Sequence, residues 1–237
     1  NVSVRTTVNV TQSAPEILNV TCNSAQAVTL TPGGTKQVFC LISIMDYNGG
    51  DTINNTNGTF YYYLNFSSDP NDNNTHYTNS TCSETAVNGF NVTWNCTFDV
   101  RYYANNGTWI GNFTVKDDYN LTASYVRNVT INSLIALNVT DTINFGNMAV
   151  GDTTLLGSPI QANITNFGNR NINITIYGFG GQIENATTLA LAMICEYRNI
   201  TIANERYNLS SAATYDEMTS VTGISTKIPG LTVLQQT

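Results

Sequence analysis

Any chemistry in this chain of 237 residues would have to come from one histidine, five cysteines and a large population of asparagines. His76 stands alone, so zinc chemistry of the His-Glu-x-x-His kind lacks its second imidazole. A His-based triad would need His76 itself, and its setting, Asp72-Asn73-Asn74-Thr75, reads as a solvated loop. The chain has no Gly-x-Ser-x-Gly elbow and no glycine-rich phosphate loop. Asp69-Pro70-Asn71-Asp72-Asn73 is a weak calcium pattern, since Asn74 and Ser80 stand where such a loop needs Gly and Glu. Asp46…Asn48…Asp51 is no stronger, and Asx-rich turns explain both. Neither an enzyme nor a bound metal or cofactor is expected.

The asparagines are more informative. Of 34, 20 stand in Asn-x-Ser/Thr triplets. They are Asn1, Asn9, Asn19, Asn54, Asn57, Asn65, Asn73, Asn79, Asn91 and Asn95, then Asn106, Asn112, Asn120, Asn128, Asn138, Asn163, Asn173, Asn185, Asn199 and Asn208. With Ser and Thr together about a fifth of the chain, roughly 7 would arise by chance. Thr takes the third position in all but three, the exceptions following Asn1, Asn65 and Asn208. The excess predicts dense N-glycosylation and an extracellular, cell-surface location, with covalent glycans as the sole added groups. Asn1-Val2-Ser3 has neither a basic start nor an apolar stretch, so a leader is expected to have been removed upstream. A neutral sugar coat over few ionisable groups would suit an acidic medium.

The cysteines agree with export. Cys22 and Cys40 flank the turn signal Pro32-Gly33-Gly34, while Cys82 and Cys96 nearly mirror each other about Asn88-Gly89. The pairs Cys22–Cys40 and Cys82–Cys96 are favoured. Three connectivities exist, and Cys40–Cys96 stays open. Cys195 is left over as a buried small residue or an intermolecular bridge. Only 11% of residues are charged and the net charge is −7, which excludes electrostatic capture of nucleic acid. No apolar run reaches the roughly 20 residues of a membrane span.

The elements are strands. Val/Ile/Thr/Tyr/Phe runs alternate with Asn, Gly, Asp and Pro clusters at the spacing of β-sandwiches. The first set is Ile17–Cys22, Lys36–Met45, Thr59–Phe66, Val92–Val100, Ile110–Val115 and Ala123–Ile131. A second set reads Asp141–Phe145, Ile160–Ile164, Ile172–Tyr177, Ile200–Asn204 and Leu231–Leu234, with Ala186–Ile194 either a short helix or a buried strand. The predicted fold is all-β: two tandem Ig-like β-sandwiches at 15–134 and 135–237, preceded by an N-terminal extended strand at 1–14.

Two stretches carry resemblances. Tyr102-Tyr103-Ala104-Asn105-Asn106-Gly107-Thr108-Trp109 followed by Val115-Lys116-Asp117 resembles the closing motif of PKD and related Ig-like surface domains. Ile44-Met45-Asp46-Tyr47-Asn48-Gly49 looks like the matching B-strand and turn, although the Trp-x-Phe-Gly-Asp-Gly element is missing. Ile143-Asn144-Phe145-Gly146 through Gly151-Asp152 and Asn166-Phe167-Gly168-Asn169 is similar to exported β-sandwich proteins of the TasA/camelysin type and archaeal surface relatives. Several of that class polymerise by donating a strand, so the resemblance implies a hairpin turn at Asn166–Asn169 and an assembling subunit.

Residues 1–11 are where function is expected. Val2, Val4, Val8 and Val10, with Thr6 between, fall on one face in period-two alternation, the pattern of a half-buried strand. This strand has three competing fates: an extra edge strand on its own module, a remnant of a longer tandem array, or donation to the next subunit. The third would propagate head to tail into a fibre of copies of this chain. The expectation is therefore a pilus-like extracellular filament subunit built by donor-strand complementation. The alternative is an S-layer or adhesin binding module using Tyr61-Tyr62-Tyr63 or Tyr102-Tyr103.

Overall fold

The computed structural model describes residues 3–5, 7, 11–149, 151–153, 160–180, 191–194 and 196–237. Val2, Val8, Val10, Asn1, Asn9, Asn185 and Cys195 lie outside the described residues. The strands, in chain order, are β1 Glu16–Cys22, β2 Thr35–Met45, β3 Ile53–Tyr62, β4 His76–Asn79, β5 Ser83–Asn88, β6 Asn91–Arg101, β7 Gly107–Asp117 and β8 Thr122–Ile131. They continue as β9 Leu137–Val139, β10 Ile164–Asn166, β11 Ile172–Ile176, β12 Leu191–Met193, β13 Ile200–Thr201, β14 Arg206–Tyr207, β15 Thr219–Ser220 and β16 Thr226–Val233. Helix is confined, among the described residues, to single three-residue turns.

The chain divides into two compact units, residues 1–135 with 167–170 and 236–237, and residues 136–166 with 171–235. The first unit is two packed four-stranded antiparallel sheets, in the orders β1-β2-β6-β5 and β4-β3-β7-β8. Period-two alternation builds the core. Along β6, Val92, Trp94, Cys96, Phe98 and Val100 are buried, and along β7 so are Trp109, Phe113 and Val115. Phe60 stacks on Trp109 at 4.9 Å and meets Phe98 of the other sheet at 5.4 Å between ring centres. Gly58 and Gly111 face Phe113; a Cβ added at either would approach its ring within 2.8 and 2.7 Å. The two glycines are notches that admit the ring.

The turns have local causes. Asn88 and Asn91 pair across Gly89-Phe90, and Gly89 takes φ +61°, the positive value that a tight hairpin needs. Gly33, after Pro32, takes φ +65° while the Gly34 N–H donates to the Thr31 carbonyl at 3.0 Å, closing a turn between β1 and β2.

The second unit is also all-β but built of two-stranded antiparallel sheets, β9 with β10, β11 with β16, β12 with β13 and β14 with β15. Its described buried apolar residues are Ile174, Ile202, Val221 and Ile228, whereas Ile143, Phe145, Met148 and Ile160 are exposed. Several expected strands shift. Asp141–Phe145 is not a strand, Ile160–Ile164 survives only as Ile164 at the start of β10, and Ile200–Asn204 becomes two strand residues and a turn. Leu191–Met193 is the described strand of the ambiguous 186–194 stretch.

Candidate functional site

Seven of the Asn-x-Ser/Thr triplets follow the strand period. Seventeen of the 20 acceptor asparagines are described, and none of them is buried. The described asparagines that are buried, Asn166 and Asn169, both stand outside the triplets. In Asn19-Val20-Thr21, Asn57-Gly58-Thr59, Asn91-Val92-Thr93, Asn95-Cys96-Thr97, Asn112-Phe113-Thr114, Asn128-Val129-Thr130 and Asn173-Ile174-Thr175 the middle residue is buried while both flanks face out. Residues i and i+2 of a strand share a face, so the triplet turns its Asn and Thr to the outer face, some of them half-buried there, and gives the core its central side chain. Asn19 and Asn95 each aim Nδ2 along the strand at the hydroxyl of their own threonine, 3.2 and 3.5 Å away. The triplets themselves are plain in the sequence; their placement on strand faces is not.

Disulfides join Cys22 to Cys40 and Cys82 to Cys96. Cys40 is directly opposite Cys22 on β1 and directly opposite Cys96 on β6, so three cysteines form one cross-strand row on the buried face. Disulfides of this kind belong to an oxidising compartment. No helix among the described residues is long and apolar enough to cross a membrane.

No described residue before Glu16 is in a strand, and Val4 is 85% exposed. At Ser13 the N–H donates to Asn48 Oδ1 at 2.8 Å. In the first unit, β5 covers only part of the β6 edge. β5 pairs with β6 only over Asn91–Asn95, although β2 pairs along all of it. Beyond Asn95, side chains serve the outward main chain: Asn79 Nδ2 donates to the Thr97 carbonyl at 3.0 Å, and the Arg101 N–H donates to the Tyr77 hydroxyl at 3.0 Å. By strand alternation the Asp99 main chain faces the same way. This half-edge borders a polar cleft of about 440 Å³ lined by Asn71, Asn73, Thr78, Asp99 and Arg101 among others. Burial at the cleft holds the Tyr77 hydroxyl far above its ordinary pKa.

His76 corrects the sequence reading. It is not in a solvated loop but opens β4 at 1% exposure, paired with and stacked on Tyr61 at 6.0 Å. A turn closed by Asp72, whose carbonyl accepts the His76 N–H, folds the polar stretch back over it, and Nδ1 lies 3.2 Å from Asn71 Oδ1. The aspartates are structural. Buried Asp46 accepts from the Asn48 N–H and Thr52 hydroxyl, and buried Asp117 accepts from the Tyr119 and Leu121 N–H groups at 2.9 and 2.8 Å. Among the described residues no three His, Cys, Asp or Glu side chains are grouped to hold a metal ion. Of the tyrosines offered for ligand contact, Tyr102 is buried and Tyr63 exposed, the latter beside exposed Leu64 and Phe66. Asn166–Asn169 is not the expected hairpin turn, because β10 pairs with β9 and β11 with β16. The stretch instead holds two buried amides: Asn166 Nδ2 donates to the Val233 and Leu234 carbonyls, and Asn169 receives the Leu134 N–H while donating to the Ala104 and Asn132 carbonyls.

No protein-family model matches the sequence. Neither a curated protein nor a solved structure matches it significantly.

Proposed function

We propose that the chain is the structural subunit of an extracellular, N-glycosylated surface filament of archaeal type, in which the N-terminal segment of one copy adds as a strand to the next. The observation that carries this reading is Val4, exposed in a segment that alternates like a half-buried strand yet lies in no strand over its described residues. Exposed Ile143 and Phe145 in the second unit supply apolar surface that an added strand would cover. The TasA/camelysin-like motifs and the PKD/Ig-like motif of the first unit support the same reading. Val2, Val4, Val8 and Val10 would each contribute about 1.5–3 kcal/mol on burial, besides main-chain hydrogen bonds. The role is mechanical, without catalysis or cofactor, and the partners are copies of the chain.

Deleting residues 1–11 tests it. A folded monomer that no longer forms filaments under the electron microscope, and is captured by the intact protein, is the expected result. Filaments of unchanged length would overturn strand donation, and loss of folding would assign the segment to its own module. The binding-module alternative is favoured by exposed Tyr63, Leu64 and Phe66. It predicts that Tyr63→Ser with Phe66→Ser abolishes surface attachment and leaves assembly intact.

A further inference from the structure

Two adjacent outward positions of the central strand β2 make an apolar strip on the β1-β2-β6-β5 sheet, with Leu18 of β1 also exposed. On β2, Phe39 and Leu41 point outward at 47% and 46% exposure. β2 is flanked on both sides by paired strands and itself contains no asparagine. Its neighbours both carry acceptor triplets at this height. Leu41 is directly opposite Asn95 on β6 and Thr21 on β1, Phe39 is directly opposite Thr97, and Asn19 is opposite Ser43, one outward position from Leu41. Directly opposed side chains start roughly 5 Å apart and diagonal ones roughly 7–8 Å, within the span of a single sugar ring. Asn19-Val20-Thr21 and Asn95-Cys96-Thr97 therefore bracket the two apolar side chains from either side.

Resting on the reading of these triplets as occupied acceptors, we infer that the first sugars on Asn19 and Asn95 lie across Phe39 and Leu41 and serve as their cover. The aliphatic C–H face of a pyranose is complementary to the negative face of the Phe39 ring, and its hydroxyls keep the outer surface wet. A second polypeptide is a poorer occupant, because it would have to clear sugars rising on both sides of a strip one strand wide. In this account the glycan is part of the fold, the outermost layer on the central strand of a sheet.

The test is a glycopeptide map of the native protein followed by a thermal cycle. Asn19→Gln with Asn95→Gln removes both sugars, and Thr21→Val with Thr97→Val removes the same triplets while keeping the asparagines. In the wild-type background either pair is expected to lower the unfolding midpoint by roughly 4 °C and to raise binding of an apolar dye. With Phe39→Thr and Leu41→Thr already in place, the same pairs should change neither. Equal effects in the two backgrounds would overturn the inference, as would a midpoint that rises with concentration of the native glycoprotein, which would put another copy on the patch. Sugar found elsewhere but on neither Asn19 nor Asn95 sinks this inference alone. Sugar found nowhere sinks the glycoprotein reading with it.

Discussion

Asp117 illustrates how polar side chains are used where charge is scarce. Its Oδ1 holds two main-chain N–H groups of the turn that follows β7, and no solvent reaches it. Asp117→Ala leaves both donors without a partner and is expected to cost about 2–3 kcal/mol, read from the urea midpoint. Asn169→Ala removes three hydrogen bonds from a buried amide and should cost about as much. Asp117 was visible in the sequence as the end of a Val-x-Asp motif. His76 was not, because its neighbours are polar and its burial comes from stacking on a residue of another strand. Two glutamates give opposite pH signatures. Burial raises the Glu205 pKa, so Glu205 weakens the fold as pH climbs from its unfolded to its folded value. Glu205→Gln should raise the melting midpoint near neutral pH and leave it unchanged in strong acid. Hydrogen bonds from the Thr214 N–H and hydroxyl pull the Glu217 carboxyl down, so its contribution is present above its unfolded pKa and is lost as pH falls through the lower folded value. Glu217→Gln should therefore lower the midpoint only above that window.

At the scale of elements, the long central strands were the legible ones. β2, β6 and β7 alternate strictly in burial, and their expected limits, like those of the edge strand β8, lie within three residues of those found. β3 begins at Ile53, six residues before the expected Thr59, because Asn54-Asn55-Thr56-Asn57-Gly58 has a turn's composition but a strand's inward set of Ile53, Thr56 and Gly58. β4 and β5 escaped notice for a related reason: β5 is exposed along its whole length and held by pairing to β6 alone. The Gly58–Gly111 notch could not be read without knowing that both face Phe113 across β3 and β7. Gly111→Ala should cost about 1–3 kcal/mol by forcing that ring aside, measurable by denaturant unfolding. Replacing Cys22 and Cys40 together by serine should cost about 2–4 kcal/mol under the chain-entropy account of an 18-residue cross-link.

At the scale of the whole molecule, charge pairing between the described residues is sparse. Arg206 and Asp216, both described, form an ion pair at 3.9 Å, its aspartate 98% exposed. Raising salt to about 1 M should therefore move the melting midpoint by less than roughly 2 °C, since a surface pair is worth little and salt screens only what is there. A protein stabilised by surface ion-pair networks would shift more. Cooperative burial in the first unit and the cross-strand cysteine row dominate instead. That row has a consequence for a chain pulled from its ends. Residues between bonded cysteines cannot be drawn out, so the 18- and 14-residue cross-links together withhold roughly 110 Å of contour at about 3.4 Å per residue. A stretching trace in oxidising buffer should end that much shorter than one recorded after reduction. The first unit is thereby a stop on extension: even with its hydrogen bonds broken, it can yield only a fixed part of its length.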